Sequence, residues 1–470
     1  MSHDPTDFPI IYDANSLSAA TDIPVGIVTA GNMVPVERDL QDFTGANGLP
    51  AVSVTVVGPG STATPNLDEW DLDSQTIVAM GGIQHLVLYD GADLQSEADN
   101  TSNFNTVVSD DAVKVINMSF GECETTAYND GGMAADDTIY REGAAQGQTF
   151  SASAGDFGAD ECGNGTLTPL YPASSQWVVA VGGTSLYTTG NTTWAGETVW
   201  NDKYGATGGS PSTEEDQPAW QIGIGPNTNT YFRGVADIAF DADDASGATI
   251  IVSGTSTPFV GGTSLASPIF VGAWARILQL RGQDLGFAAP MIYAAAASDY
   301  ASDFHDITSG DNNGESALTG WDYPTGWGSL IVGELANNIP SAQVASPVGL
   351  QAQYFSCIGV VDTYYVDWSA GPGTPDSVPR DYELDAEIGA QGWNETYEGP
   401  DLAHEINVPS RVDIGIRVRA TNGSVWSAYD TSSFTGAICN ACPGGEAAKL
   451  NPELCRNARE QEPRVAQKQF

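Results

Sequence analysis

The stretch Gly261–Pro268, Gly-Gly-Thr-Ser-Leu-Ala-Ser-Pro, runs straight into the apolar segment Ile269–Leu280. A glycine-containing turn that feeds a buried helix holds one hydroxyl, that of Ser264, at a helix N-terminus. The first N–H groups of a helix have no intrahelical partner and the dipole there is positive, so an oxyanion developing beside that hydroxyl would be stabilised. The plain alternative is an N-capping serine ahead of a core helix. The chemical reading demands two further groups elsewhere in the chain: a base for the serine proton and a donor for the oxyanion.

Upstream, apolar runs alternate with helical patterns. Pro24–Asn32, Ala51–Gly58, His85–Gly91, Val113–Gly121 and Tyr171–Ser185 read as buried strands, which predicts an α/β fold with a parallel sheet flanked by helices. None of the four histidines, His3, His85, His305 and His404, sits in a credible setting for a base. Between two of the strands, Trp70, Ile77 and Met80 fall on one helical face, and the same helix carries Glu69 and Asp73 one turn apart. With 60 acidic residues in the chain such a pair can arise by chance, but it lies where a base is needed. The donor candidate is Asp156, in Ser153-Ala154-Gly155-Asp156. Only a protonated carboxyl can donate to an oxyanion. Asp237 and Asp241 are expected to fix loops.

The formal charge is −44 at pH 7, from 60 acidic and 16 basic residues. Such a chain repels nucleic acid and anionic membrane surfaces, and it suits either an acidic medium or high salt. No apolar run is long enough for a transmembrane helix, and Met1–Asp13 has no signal pattern. Six cysteines, Cys123, Cys162, Cys357, Cys439, Cys442 and Cys455, read as disulfides in an oxidising compartment. The Cys439–Cys442 spacing lacks the second pair or histidine that a zinc site needs. Phe304–Ser329 is rich in Gly, Asp and Asn and too long for a plain turn. Asp306 and Asp322 there, beside main-chain carbonyls that a loop could aim inward, suit a hard cation such as calcium, without EF-hand spacing; a plain acidic loop is the alternative.

Gly-Thr-Ser-x-Ala-x-Pro resembles the nucleophile motif of the subtilisin-like serine peptidase fold. Three features depart from the subtilisins. Their Asp-Thr-Gly strand end is Thr29-Ala30-Gly31 here, and their His-Gly-Thr-His helix start is missing. Their oxyanion Asn is replaced by Asp156. Taken in order, the Glu69-x-x-x-Asp73 pair, Ala154-Gly155-Asp156, Gly262-Thr263-Ser264 and the run Asp306-Ile307-Thr308, Gly320-Trp321-Asp322, Thr325-Gly326-Trp327-Gly328 resemble the sedolisin family, the serine-carboxyl peptidases. The resemblance spans Phe8–Ile339. It implies Glu69, Asp73, Asp156 and Ser264 as catalytic residues. It implies substrate pairing along the segments Ser119-Phe120-Gly121 and Ser153-Ala154-Gly155. It implies Ca2+ held by the carboxylates of Asp306 and Asp322 and the carbonyls of Ile307, Leu318 and Gly320, although the family often has Gly in place of Leu318. A Cys123–Cys162 bridge and secretion are further implications, since family members carry a signal peptide and a pro-domain.

The expected organisation is a peptidase domain over 8–339, a linker over 340–347, a fibronectin type III-like β-sandwich over 348–439 with Trp368 and Tyr382 in its core, and a tail over 440–470. The expected function is an acid-acting serine-carboxyl endopeptidase that meets protein or peptide substrates as a monomer, with neither nucleic acid nor membrane as partner. A tripeptidyl exopeptidase, an inactive surface-binding protein and a halophile's hydrolase are the alternatives.

Overall fold

The computed structural model describes residues 1–339, except 61–62, 64–65, 92–93, 95, 227–230 and 282–284, and seven strands between 348 and 435. The chain separates into two compact units, the first ending near residue 342. In the first unit, seven parallel strands lie in the order Ile238–Asp241, Val178–Thr189, Thr149–Ser153, Val115–Met118, Val25–Ala30, His85–Gly91, Ser53–Val57. Thr193–Val199 pairs antiparallel with Val178–Thr189. Parallel strands need crossovers, and helices supply them on both faces.

Period-two geometry sends alternate residues to opposite cores. Val25 and Ile27 enter one with Leu86, Leu88, Val179 and Val181, while Val28 enters the other with Tyr89, Ile116 and Val178. The first core also takes the Leu67–Gly81 and Thr263–Arg281 helices; the second takes Phe104, Val107 and Tyr140. The sequence pattern gave the Leu67–Gly81 helix one apolar face, yet Trp70–Gly81 is buried all round. Polar residues are hidden there because the helix is enclosed by the Thr263–Arg281 helix, the Val34–Asn47 helix and the strand Ala248–Val252. Its buried polar groups must therefore find partners in the protein. Among the described residues no helix is long and apolar enough to cross a membrane.

The second unit holds two antiparallel sheets. Val348–Ile358, Val361–Ser369 and Ala403–Pro409 form one, and Trp393–Gly399, Asp381–Ile388, Asp413–Thr421 and Asp430–Thr435 form the other. Val366, Trp368, Tyr382, Leu384, Ile406, Val408, Ile416 and Val418 share a core, so the unit is a β-sandwich. Trp368 and Tyr382 meet at 5.7 Å between ring centroids. Cys357 lies on the first of these strands. The expected linker, the tail and Cys439, Cys442 and Cys455 lie outside the described residues.

Candidate active site

Ser264 occupies the first turn of the Thr263–Arg281 helix and is partly exposed, whereas the residues after it are buried. Pro268 lacks the N–H that would bond the Ser264 carbonyl, so the helix starts with one ladder bond fewer. Gly262 makes the turn with φ 90°, and a Cβ there would lie 2.8 Å from Asp156 Oδ2. The position therefore demands glycine twice over.

Asp156 follows the strand Thr149–Ser153. Its Oδ1 accepts from the Thr263 N–H and from Thr263 Oγ1, both at 2.8 Å. Burial raises its carboxyl above the ordinary range, and the two Thr263 bonds pull it back. Oδ1 is filled by donors, so Oδ2 is the oxygen that can hold the proton, and it faces Gly262.

Glu69 and Asp73 project from one face of the Leu67–Gly81 helix. Asp73 is fully buried. The Ser264 and Ser119 hydroxyls both face the Glu69 carboxyl. Burial pushes both acids upward, and for Asp73 the charge of Glu69 adds to it. Two such groups cannot both ionise cheaply and titrate as one unit.

Behind Asp73 runs a chain of hydrogen bonds. Ser119 Oγ donates to Asp73 Oδ1 at 2.7 Å, and Asn117 Nδ2 donates to Ser119 Oγ at 2.9 Å. Ser267 Oγ donates to Asn117 Oδ1 at 2.7 Å, and Ser151 and Ser267 share a bond of 2.7 Å. The acid pair is thus braced against the helix that carries Ser264. Sequence reasoning missed Asn117, Ser151 and Ser267. Their signal was polar residues within the apolar runs Val115–Met118, Thr149–Ser153 and Leu265–Leu278.

Ser119, whose main chain is expected to line the substrate path, points its hydroxyl to Asp73. Phe120 stacks on Phe104, and Gly121 packs where a Cβ would meet the Tyr171 carbonyl. Ser153 Oγ donates to the Thr263 carbonyl at 3.0 Å, and the Ala154 N–H to the Val181 carbonyl at 3.0 Å. The Gly155 N–H donates to Thr263 Oγ1 at 3.1 Å, and its carbonyl accepts from the Gly208 N–H at 2.7 Å. Ser153–Gly155 therefore sits beside the Thr263–Ser264 turn with these polar groups engaged within the protein. A further acid that sequence reasoning passed over, Glu161, lies against Gly155, where a Cβ would fall 2.3 Å from its carboxyl carbon. Glu161 Oε1 accepts from the Phe157 N–H at 2.9 Å, and burial pushes the carboxyl up to about 8. Phe157 is 80% exposed beside Asp156. The Cys123–Cys162 disulfide ties the chain after Ser119–Gly121 to the chain after Asp156.

The histidines lie elsewhere. His3 pairs with Asp7, His305 stacks on Trp194, His404 stacks on Tyr397, and His85 begins a strand.

In the 304–329 loop, Asp306 Oδ1 accepts from Tyr300 Oη at 2.9 Å and from the Gly320 N–H at 3.0 Å. Asp322 is fully buried; its Oδ2 accepts from the Leu318 N–H at 2.7 Å and its Oδ1 from the Thr325 N–H at 2.9 Å. Ile307 is buried, and Gly320 has φ 77°. Burial chiefly, and the neighbouring Asp306 in part, raise Asp322. Two neighbouring carboxyls supply oxygen donors of the kind a hard cation takes, and main-chain carbonyls of the loop would have to complete the set. Among the described residues no cluster of three or more His, Cys, Asp or Glu converges as a metal site, so a cation here would rest on this mixed set.

Residues 70–328 match the model of the subtilase family. Sedolisin of Pseudomonas sp. (strain 101) is 46% identical over 366 residues, covering 72% of this chain and 61% of that protein. Xanthomonalisin of Xanthomonas sp. (strain T-22) is 41% identical over 384 residues, covering 71% of this chain and 46% of that protein. The chain thus spans between about half and two thirds of the length of these relatives. The solved structure of Pseudomonas sedolisin, a serine-carboxyl proteinase complexed with two molecules of pseudo-iodotyrostatin, superposes with a TM-score of 0.68 at 44% identity, covering 72% of this chain and 97% of that one. The chain belongs to the subtilase family and, within it, to the sedolisins.

Proposed function

We propose that this chain is an acid-acting serine-carboxyl endopeptidase. One observation carries the reading: carboxyls gather around the Ser264 turn, with Glu69 facing the Ser264 hydroxyl, Asp73 paired to Glu69, and Asp156 fixed by the adjoining Thr263. Ser264 Oγ attacks the peptide carbonyl and passes its proton to Glu69. Asp73 and Glu69 hold a shared proton, which keeps one carboxylate available as base. Asp156, protonated on Oδ2, donates to the oxyanion together with the Ser264 N–H. Glu69 then protonates the leaving amine, the acyl-enzyme forms, and Glu69 activates the water that hydrolyses it.

The acid preference follows from the donor. Once Asp156 ionises, it repels the oxyanion it had stabilised. Calcium, when bound through Asp306, Asp322 and the carbonyls of Ile307, Leu318 and Gly320, supplies positive charge that ties the 304–329 loop together. The proposed peptidase domain is 8–339, followed by the linker over 340–347, the fibronectin type III-like module over 348–439 and the tail. Secretion, and action as a monomer on unfolded proteins, are part of the same reading. The Cys123–Cys162 disulfide supports an oxidising setting, and the charge of −44 is compatible with an acidic one as it is with high salt.

A pH–rate profile on a denatured protein substrate, for the parent and Ser264→Ala, tests the proposal. A maximum in acid that Ser264→Ala abolishes is expected. A serine-dependent maximum at neutral pH would overturn the protonated Asp156. Activity that survives Ser264→Ala would overturn the nucleophile.

A further inference from the structure

The Leu67–Gly81 helix carries a further carboxyl between the two proposed catalytic ones. Asp71 is two residues from each, so it points roughly 200° away from them around the helix. It is fully buried, and neither of its carboxyl oxygens receives a hydrogen bond. The group facing it is another fully buried acid, Asp39, on the Val34–Asn47 helix.

Asp39 is supplied with donors. Its Oδ1 accepts from Arg38 Nε at 3.2 Å, from an Arg38 terminal nitrogen at 3.1 Å and from the Gly254 N–H at 3.0 Å. Its Oδ2 accepts from the Ser253 N–H at 2.6 Å. Ser253 and Gly254, with φ 51° and 71°, form the tight turn between the strands Ala248–Val252 and Thr255–Val260. Asp39 thus acts as an acceptor and lashes that hairpin to its own helix. A second carboxyl can sit against it in the dry interior only by bringing a proton and donating it to Asp39.

One turn further along, Gln75 clasps the same hairpin with both of its groups, accepting from the Ile251 N–H at 2.8 Å and donating to the Ile251 carbonyl at 2.7 Å. The groups that face Asp71 are Asp39 and Arg38 from the Val34–Asn47 helix and Asp68 from its own; the hairpin turn contributes the two N–H groups held by Asp39. Burial and then Asp39 push the Asp71 carboxyl up to about 9, while the largely exposed Arg38 pulls only weakly the other way. A group raised in this way supports the fold at low pH, and the support fades as pH climbs from the ordinary carboxyl range towards that value.

We propose that Asp71 is a positioning residue whose proton, shared with Asp39, fastens the helix bearing Glu69 and Asp73 to the Val34–Asn47 helix and the 253–254 turn. Losing that proton leaves two carboxylates face to face and loosens the first two turns of the helix. The acid pair is then displaced from Ser264 even where the reacting groups themselves are correctly charged. The fold so carries a pH latch separate from the titration at Asp156.

The test uses the full-length chain carrying Ser264→Ala, with and without Asp71→Asn. An amide at position 71 still donates to Asp39 and does not titrate. Hydrogen exchange, corrected for the intrinsic rate, should show protection at 69–74 and 250–254 falling at least about tenfold from pH 6 to 9 relative to the rest of the fold, and the fall should vanish with Asp71→Asn. Protection that stays flat, or that falls alike in both proteins, would overturn the latch. Should the Asp71→Asn protein fail to fold, the Ser264→Ala profile at 250–254, the turn that Asp39 holds, decides by itself: a flat profile there refutes the proposal and a fall there sustains it. In the active protein, Asp71→Asn should move the pH at which half of the acid activity survives an alkaline incubation up by about one unit or more; an unmoved midpoint would count against the latch. The exchange arm needs no activity, so a failure of the proposed peptidase function would not be mistaken for a failure of the latch.

Discussion

Replacing Asp156 separates the two jobs that one carboxyl is proposed to perform. Oδ1 already accepts two bonds of 2.8 Å from Thr263, so the orientation of the group is fixed and Oδ2 is left to donate. Asp156→Ala removes the donor and should lower kcat by about 10²–10³-fold, or about 2.7–4 kcal/mol of transition-state stabilisation. Asp156→Asn is the sharper probe. Thr263 will hold the amide oxygen at the Oδ1 position, which puts the NH2 where Oδ2 was: a donor that never ionises. In acid this variant should stay within about tenfold of the parent. As pH rises through the Asp156 pKa, which burial lifts above the ordinary range, the parent loses its donor and gains a repelling charge, and the variant does neither. The ratio of kcat/KM for variant over parent should therefore climb by about tenfold per pH unit until another group limits both. Steady-state assays with one peptide from pH 3 to 8 measure this. A ratio flat across that range, or an Asp156→Ala enzyme within about threefold of the parent, would refute the assignment of Oδ2 as the oxyanion donor.

Glu161→Gln should stabilise the fold at neutral pH and not in acid. Burial lifts this carboxyl to about 8, so its protonated form supports the fold below about pH 4 and the support is lost as pH rises. On the order of 1–3 kcal/mol should separate the variant from its parent at pH 7, read from denaturant melts in a Ser264→Ala background. Gly262→Ala forces a Cβ to within 2.8 Å of Asp156 Oδ2 at φ 90° and should cut kcat by at least about tenfold. Stopped assays at the acid optimum check it, and an unimpaired enzyme would count against the tight turn. Chelating calcium should lower the melting temperature, and Asp322→Asn should remove that sensitivity. Calorimetry with and without chelator reads both. Reducing the Cys123–Cys162 bridge, with a sequence separation of 39, should cost about 4 kcal/mol in the chain-entropy description. Denaturant melts with and without a reductant measure it.

Much of the fold was legible because its signals are local. The apolar runs at Pro24, His85 and Val113 became parallel strands, since a strand buried on both faces needs apolar residues at every position. The glycine-rich turn before Ile269 became a helix start, and the pair Glu69 and Asp73 was readable because helix geometry alone puts residues four apart on one face. The order of motifs along the chain was enough to suggest the family.

What the sequence could not show is what those faces meet. Ser119 reads as a strand end whose main chain could pair with substrate, and nothing in that reading shows that its hydroxyl serves an acid 46 residues away. Nothing in the chain marks Thr263 as the residue that orients Asp156 from 107 positions away, or Ser267 as the far end of a brace that passes through Asn117, 150 positions away. Asp71 reads as one more acid in an acidic chain until the packing of two helices and a hairpin leaves it dry and opposite Asp39. Residue type and spacing determine which groups an element can offer. Sheet order and helix packing decide which of them meet, and in a dry interior that meeting fixes where each proton resides.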